Sequence, residues 1–223
     1  MQRTFCALFL LLADPYTVER EKMVRDQIER RGVRDAEVLR VLRATPRHLF
    51  VPANVRSQAY EDHPLPIGHR ATISQPYIVA WMTELLDAGK THRVLEIGSG
   101  SGYQAAILAQ LARHVYTIEI VPELASSARS ILTRLGYQNV SVRHGDGYQG
   151  WPEQAPFDRI ILTAAPPQIP KTLLDQLAPG GRLVAPEGST PLAQDLIIID
   201  KGEDGKIQRR SVGGVMFVPM VPK

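Results

Sequence analysis

The sequence predicts an α/β fold: a mostly parallel sheet with helices on both faces, a C-terminal antiparallel hairpin and an N-terminal helical lead-in. Three observations predict it. The first is the stretch Arg93 to Ala109, RVLEIGSGSGYQAAILA. Val94, Leu95 and Ile97 form the short apolar run that a strand buried on both faces needs. Gly98, Gly100 and Gly102 lack Cβ atoms, so the backbone can turn sharply and approach a ligand closely. Tyr103 then opens a helix whose first N–H groups face whatever sits over the turn. The second observation is that such strands and helices alternate from Arg93 to Ala185, the pattern of right-handed crossovers and a parallel sheet. The third is KGEDGK, which joins two strand-like runs near the end, with Asp204-Gly205 as a hairpin turn signal.

The totals bound the rest. A chain of 223 residues supports one sizeable domain. Residues 14–223 read as that domain, with 14–75 a helical lead-in and substrate loop and 76–223 the cofactor-binding core. A net charge of +3 with no dense Lys/Arg stripe argues against nucleic acid as a partner. Cys6 is the one cysteine, which excludes an internal disulfide and a cysteine-based metal site. His63 and His69 have no carboxylate cluster at ligand spacing, so no metal is expected. Phe5 to Ala13, FCALFLLLA, is too short to span a bilayer, and no stable membrane association is expected. It reads either as an apolar extension ahead of a cytoplasmic enzyme or as the middle of an export signal.

Taken in order, Asp14-Pro15 suits a helix start, Val18, Val24 and Ile28 mark its apolar stripe, and Gly32 suits its stop. Asp35 can cap a second helix, Ala36 to Ala44, that Thr45-Pro46 ends. Phe50 to Ile73 is irregular and proline-bearing, a connection of the functional or disordered kind. Pro76 opens a helix with Ser74 or Gln75 as cap and Gly89 as stop. Strands follow at Arg93–Ile97, Val115–Ile120, Val140–Arg143, Arg159–Thr163 and Arg182–Ala185, with helices from Tyr103, from Pro122 to Gly136 and over Lys171–Leu177. Leu196–Asp200 and Ile207–Met220 form the hairpin.

Ligands of open α/β sheets sit beyond the carboxyl ends of the strands, at the switch point. The glycines here are spaced G-x-G-x-G, not the G-x-G-x-x-G of a dinucleotide fingerprint. Glu119, near the second strand's end, can accept hydrogen bonds from both hydroxyls of a ribose, so the ligand is of adenosine type. Asp146 lies between Gly145 and Gly147 after the third strand, where it can accept from an adenine amino group. Thr163 opens the small-residue wall TAAPP after the fourth.

At this point the sequence resembles a known family. Glu96 to Gly102 resembles the glycine loop of Rossmann-like class I methyltransferases that use S-adenosyl-L-methionine. ATISQP, VLEIGSGSGYQAAILA, HGDGYQGW, FDRIILTAAPP, LAPGGRLVAP and GGVMFVPM together resemble the protein-L-isoaspartate (D-aspartate) O-methyltransferases, in order from about Val18 to the C-terminus. The resemblance implies that Gly98, Ser99, Gly100, Ser101 and Gly102 hold the cofactor's methionine end, with Glu96 and Ile120 also among the cofactor-binding residues. Glu119 would meet its ribose, and Asp146 and Gly147 its adenine. Thr72, Ile73 and Ser74 would line the junction with substrate, and Ser74, Thr163 and Val218 would contact it. Ser74 is the implied catalytic residue, orienting the acceptor carboxylate; as a sequence feature alone it also suits a helix cap. Met216 to Val218 reads either as an edge strand that pairs with a peptide or as a core-facing final strand.

The implied reaction methylates the free carboxylate of isoaspartyl and D-aspartyl residues in damaged proteins and peptides. A carboxylate is ionised at neutral pH, so the absence of a Ser-His-Asp or Cys-His set fits. A monomer is expected. The alternatives are another class I methyltransferase acting on a small molecule or a nucleic acid, an NAD-dependent oxidoreductase, and a non-catalytic adenosine-binding protein. ATISQP and FVP oppose the first, the glycine spacing the second, and the set Glu119, Asp146 and Ser74 the third.

Overall fold

A computed structural model describes residues 14–190 and 193–222, so Phe5 to Ala13 lies outside the described residues. Helix α1 spans Thr17–Lys22 and continues as a π-helical stretch, Met23–Ile28, and a short turn, Glu29–Arg31, that Gly32 ends at φ +104°. Met23, Val24 and Ile28 are buried there, whereas Val18, expected on the apolar stripe, is 61% exposed. Helix α2, Ala36–Ala44, begins where its cap predicts: the Asp35 carboxylate accepts from Glu37 N and Val38 N at 2.8 and 2.9 Å. It buries Val38, Leu39, Val41 and Leu42.

The stretch read as irregular is more ordered than expected. After two 3₁₀ segments, Arg47–Phe50 and Ala53–Gln58, it forms a small antiparallel hairpin of β1, Leu65–Gly68, and β2, Ala71–Ile73. Its strands are too short to carry a visible alternation, and its turn is His69-Arg70, with none of the usual hairpin residues. Helix α3, Pro76–Leu86, has Gln75 at its cap position, but no side chain caps it. It ends before Gly89, because Asp87 itself takes the left-handed conformation at φ +53°.

The alternation then runs as predicted: β3 Arg93–Ile97, α4 Tyr103–Ala109, β4 His114–Glu119, α5 Pro122–Arg134, β5 Val140–His144, β6 Phe157–Leu162, α6 Lys171–Gln176, β7 Leu177–Thr190, β8 Ala193–Lys201 and β9 Ile207–Val215. The seven strands order as β5-β4-β3-β6-β7-β8-β9. The first five pair in parallel, and β8 and β9 join antiparallel. Successive residues alternate between the faces. Val94, Ile161, Val184 and Ile198 pack with the lead-in, α3 and α4. Leu95, Ile160, Leu183 and Ile197 pack with α6. Each such side chain, fully buried, stabilises the fold by about 1.5–3 kcal/mol.

The last strand stops at Val215, short of the predicted Met220. Pro219 has no N–H to extend a ladder. The chain instead crosses to the exit of β6, where Ala165 N donates to Val218 O at 2.9 Å and Met220 N to Ala165 O at 2.8 Å.

Candidate active site

Strand β3 lies at the sheet's switch point: the chain runs one way to β4 and β5 and the other way to β6 and β7. A cavity of about 430 Å³ opens beyond the carboxyl ends of β3 and β4. The structure brings together around it Thr72, Ile73 and Ser74 from β2 and its exit, Gly98, Ser99, Gly100 and Ser101 from the glycine turn, Glu119 and Ile120 from the end of β4, and Gly147, Thr163 and Val218. Residues far apart in sequence thus converge on one cavity.

Hydrogen bonds set the glycine turn. Gly98 N and Ser99 N donate to Ile118 O at 2.8 and 3.2 Å. The Glu119 carboxylate accepts from Gly100 N at 2.8 Å and from Val121 N at 3.0 Å, which fixes its orientation while each oxygen keeps acceptor capacity. Gly98 has φ +99°, and a Cβ there would lie 2.3 Å from Thr163 Oγ1. The Thr163 hydroxyl uses that space to donate to Gly98 O at 2.6 Å, tying the ends of β3 and β6 together. Gly147 is equally constrained: its Cβ would lie 2.4 Å from Ile97 Cγ2.

Three predicted cofactor residues do not line the cavity. Gly102 faces α5, where a Cβ would make ordinary contact at 3.4 Å with Ala128 Cβ and Leu132, and its φ of +84° at the start of α4 is what favours glycine there. Asp146 caps a 3₁₀ turn, its carboxylate accepting from Tyr148 N at 2.9 Å, and presents the neighbouring Gly147 to the cavity. Glu96 alternates with the cavity-lining Ile97, so its side chain projects to the opposite face of the sheet. It is wholly buried, and neither carboxylate oxygen has a hydrogen-bond partner. Burial pushes it up to about 8. The Thr117 hydroxyl opposes this from a geometry too poor for a hydrogen bond, being engaged with Ser99 Oγ at 2.6 Å; the Glu119 charge reinforces it. Burial thus favours the protonated, neutral form of Glu96.

Ser74 sits on the cavity wall, with its backbone held from behind by a residue that the motifs do not reveal. Arg47 is 0% exposed. Its Nε donates to Ala59 O at 2.8 Å and its Nη2 to Ser74 O at 2.7 Å. Its Cζ lies 4.9 Å from the ring centroid of Tyr103, another lining residue. Burial pulls this guanidinium down to about 10, so it stays charged at neutral pH. No periodicity singles Arg47 out; an arginine beside the buried Phe50 and Val51 was the only signal. Ser74 does not cap α3.

The terminal segment is the opposite wall. Phe217 N donates to Gln194 Oε1 at 2.7 Å, and Gln194 Nε2 donates to Phe217 O at 3.1 Å. Both backbone groups of Phe217 and the Val218 carbonyl are thus engaged internally. The edge-strand reading of Met216 to Val218 fails at these groups, and Phe217 is core-facing at 8% exposure.

A family model described as protein-L-isoaspartate(D-aspartate) O-methyltransferase matches residues 18–223. The chain is 54% identical to a protein-L-isoaspartate O-methyltransferase of Synechococcus sp., covering 94% of this chain and 88% of that one. It is also 54% identical to the one of Methanoculleus marisnigri, covering 94% of each. A solved structure from Plasmodium falciparum, described as a protein-L-isoaspartate O-methyltransferase in complex with S-adenosyl-L-homocysteine, superposes with a TM-score of 0.78 at 26% identity, covering 91% of this chain and 98% of that one. The chain belongs to the protein-L-isoaspartate(D-aspartate) O-methyltransferase family.

Proposed function

We propose that this cavity binds S-adenosyl-L-methionine and methylates the free carboxylate of L-isoaspartyl and D-aspartyl residues in damaged proteins and peptides, initiating their repair. The observation that carries this reading is the convergence of the glycine turn and Glu119 with Ser74 and Thr163 on one cavity. The donor set fits the cofactor. Gly98 and Gly147 leave room that a Cβ would fill, and Glu119 presents an oriented carboxylate where ribose hydroxyls would donate. Ile97, Ile118 and Met220 supply an apolar wall for an adenine. When bound, the cofactor supplies a methyl group on a positively charged sulfur.

The chain's own residues have a modest task. The acceptor carboxylate is ionised at neutral pH and needs no general base. Ser74, backed by Arg47, orients that carboxylate, and Thr163 holds the floor beneath it through Gly98. Positioning of this kind can supply much of the rate. The ester then favours closure to a succinimide, and part of that ring reopens as normal aspartate without further help.

Transfer of labelled methyl from S-adenosylmethionine to an isoaspartyl peptide tests the reading. Ser74→Ala is expected to lower kcat at least tenfold and to leave S-adenosylhomocysteine affinity within about twofold. Equal losses in both would remove Ser74 from the orienting role. The reading extends to a monomer acting in the cytoplasm. Among the described residues, the exposed large apolar side chains are few: Val18, Ile207, Met216 and Val221. A single cysteine suits a reducing compartment. No helix among the described residues is long and apolar enough to cross a membrane.

A further inference from the structure

The β1–β2 turn has a feature that the methylation reading does not use. Gly68 pairs with Ala71, and the two residues between them, His69 and Arg70, have φ +52° and +60°. Both central positions are left-handed, the geometry that Asn-Gly or Gly-Gly normally fills. A side chain with a long stem is disfavoured there, and such strain tends to persist where the site uses it. Nothing structural holds these side chains in place: among the described residues, neither makes a hydrogen bond, ion pair or ring contact. Both are exposed and both line the mouth of the cavity. The other charged side chain lining it is Glu119, whose oxygens are engaged by Gly100 and Val121. Arg70 is therefore an unpaired, permanently charged cation at the entrance, carried on a short hairpin.

We propose that Arg70 is a specificity residue that recognises an acidic side chain flanking the isoaspartyl residue in the substrate. The inference rests on the isoaspartyl reading. It concerns a flanking group, not the acceptor, because Arg70 and Ser74 are four residues apart along an extended segment, roughly 13 Å at strand spacing. A guanidinium at the rim, reaching over an extended peptide, meets residues about two to four positions away. An arginine fork suits a carboxylate there.

The test uses three isoaspartyl peptides, identical except for Glu, Gln or Lys three positions from the isoaspartate, with the variable residue placed on each side in turn. At low ionic strength kcat/KM is expected to fall in the order Glu, Gln, Lys on one side, with about a tenfold span carried by KM. The span is expected to shrink in 0.5 M salt as exposed charges are screened. Arg70→Gln is expected to collapse the ranking to within about twofold. Arg70→Gly, which relieves the left-handed strain, is expected to lose the ranking while raising Tm. Wild-type enzyme that treats the three peptides alike on both sides, or variants that keep the ranking, would overturn the inference alone. Failure to methylate any of the three would instead overturn the isoaspartyl reading on which it stands.

Discussion

Arg47 and Ser74 show how the site is built from single side chains. A fully buried guanidinium needs partners, and Arg47 finds them for Nε and Nη2 in two backbone carbonyls and over an aromatic face, while its Nη1 makes no hydrogen bond. Hydrogen bonds from charged groups contribute about 1.5–3 kcal/mol each. Lysine cannot span the same fork. Arg47→Lys is expected to lower Tm and to lower kcat about tenfold, with S-adenosylhomocysteine affinity within twofold. Turnover unchanged at a lowered Tm would make Arg47 structural only. The signature of Ser74 was legible as part of ATISQP, but Arg47 was not. Its partners are main-chain atoms of Ala59 and Ser74, and main-chain partners leave no mark in side-chain pattern.

At the level of elements, the terminal segment shows where sequence patterning stops. Its apolar residues read equally as an edge strand or as core, and the outcome is decided by one distant side chain. Gln194, 5% exposed, occupies both backbone groups of Phe217. Gln194→Ala leaves those groups unpaired, a cost of about 1–3 kcal/mol if they stay buried. The expected outcome is faster amide exchange over residues 216–220 and a severalfold rise in peptide KM, read by exchange mass spectrometry and steady-state kinetics. Unchanged exchange would show that the segment is held by its contacts to Ala165 alone. Strands β3 to β6, in contrast, were legible from the sequence. β3 matches its predicted bounds, and β4, β5 and β6 lie within two residues of theirs, whereas β7, Leu177–Thr190, runs well past the predicted Arg182–Ala185 at both ends. The hairpin of β1 and β2 was not legible, because a His-Arg turn carries no hairpin signal.

Among the described residues, Glu96 is the buried acid whose carboxylate oxygens make no hydrogen bond, and it lies in the strand that the sheet is built around. Its carboxyl is raised by burial from the ordinary range to about 8. A raised acid binds its proton in the folded state at pH values where the unfolded chain has lost it. The sign is therefore fixed: the contribution is fully present below the unfolded value and is lost as pH rises through about 8. The slope is at most about 1.4 kcal/mol per pH unit. Glu96→Gln cannot ionise, so its Tm is expected to fall less than that of the wild type between pH 5.5 and pH 9. Parallel curves would place the titration elsewhere. The sequence placed Glu96 with the cofactor because of its position beside the glycines. Strand alternation turned it to the other face, while the same alternation left Ile97 at the cavity.

The cavity beyond β3 and β4 is proposed to methylate a carboxylate that arises in damaged chains. The most direct measurement compares initial rates of labelled methyl transfer to an isoaspartyl peptide and to its aspartyl twin of the same sequence. The account predicts methyl ester on the isoaspartyl peptide and background on the twin. Equal methylation of both, or of neither, would contradict it.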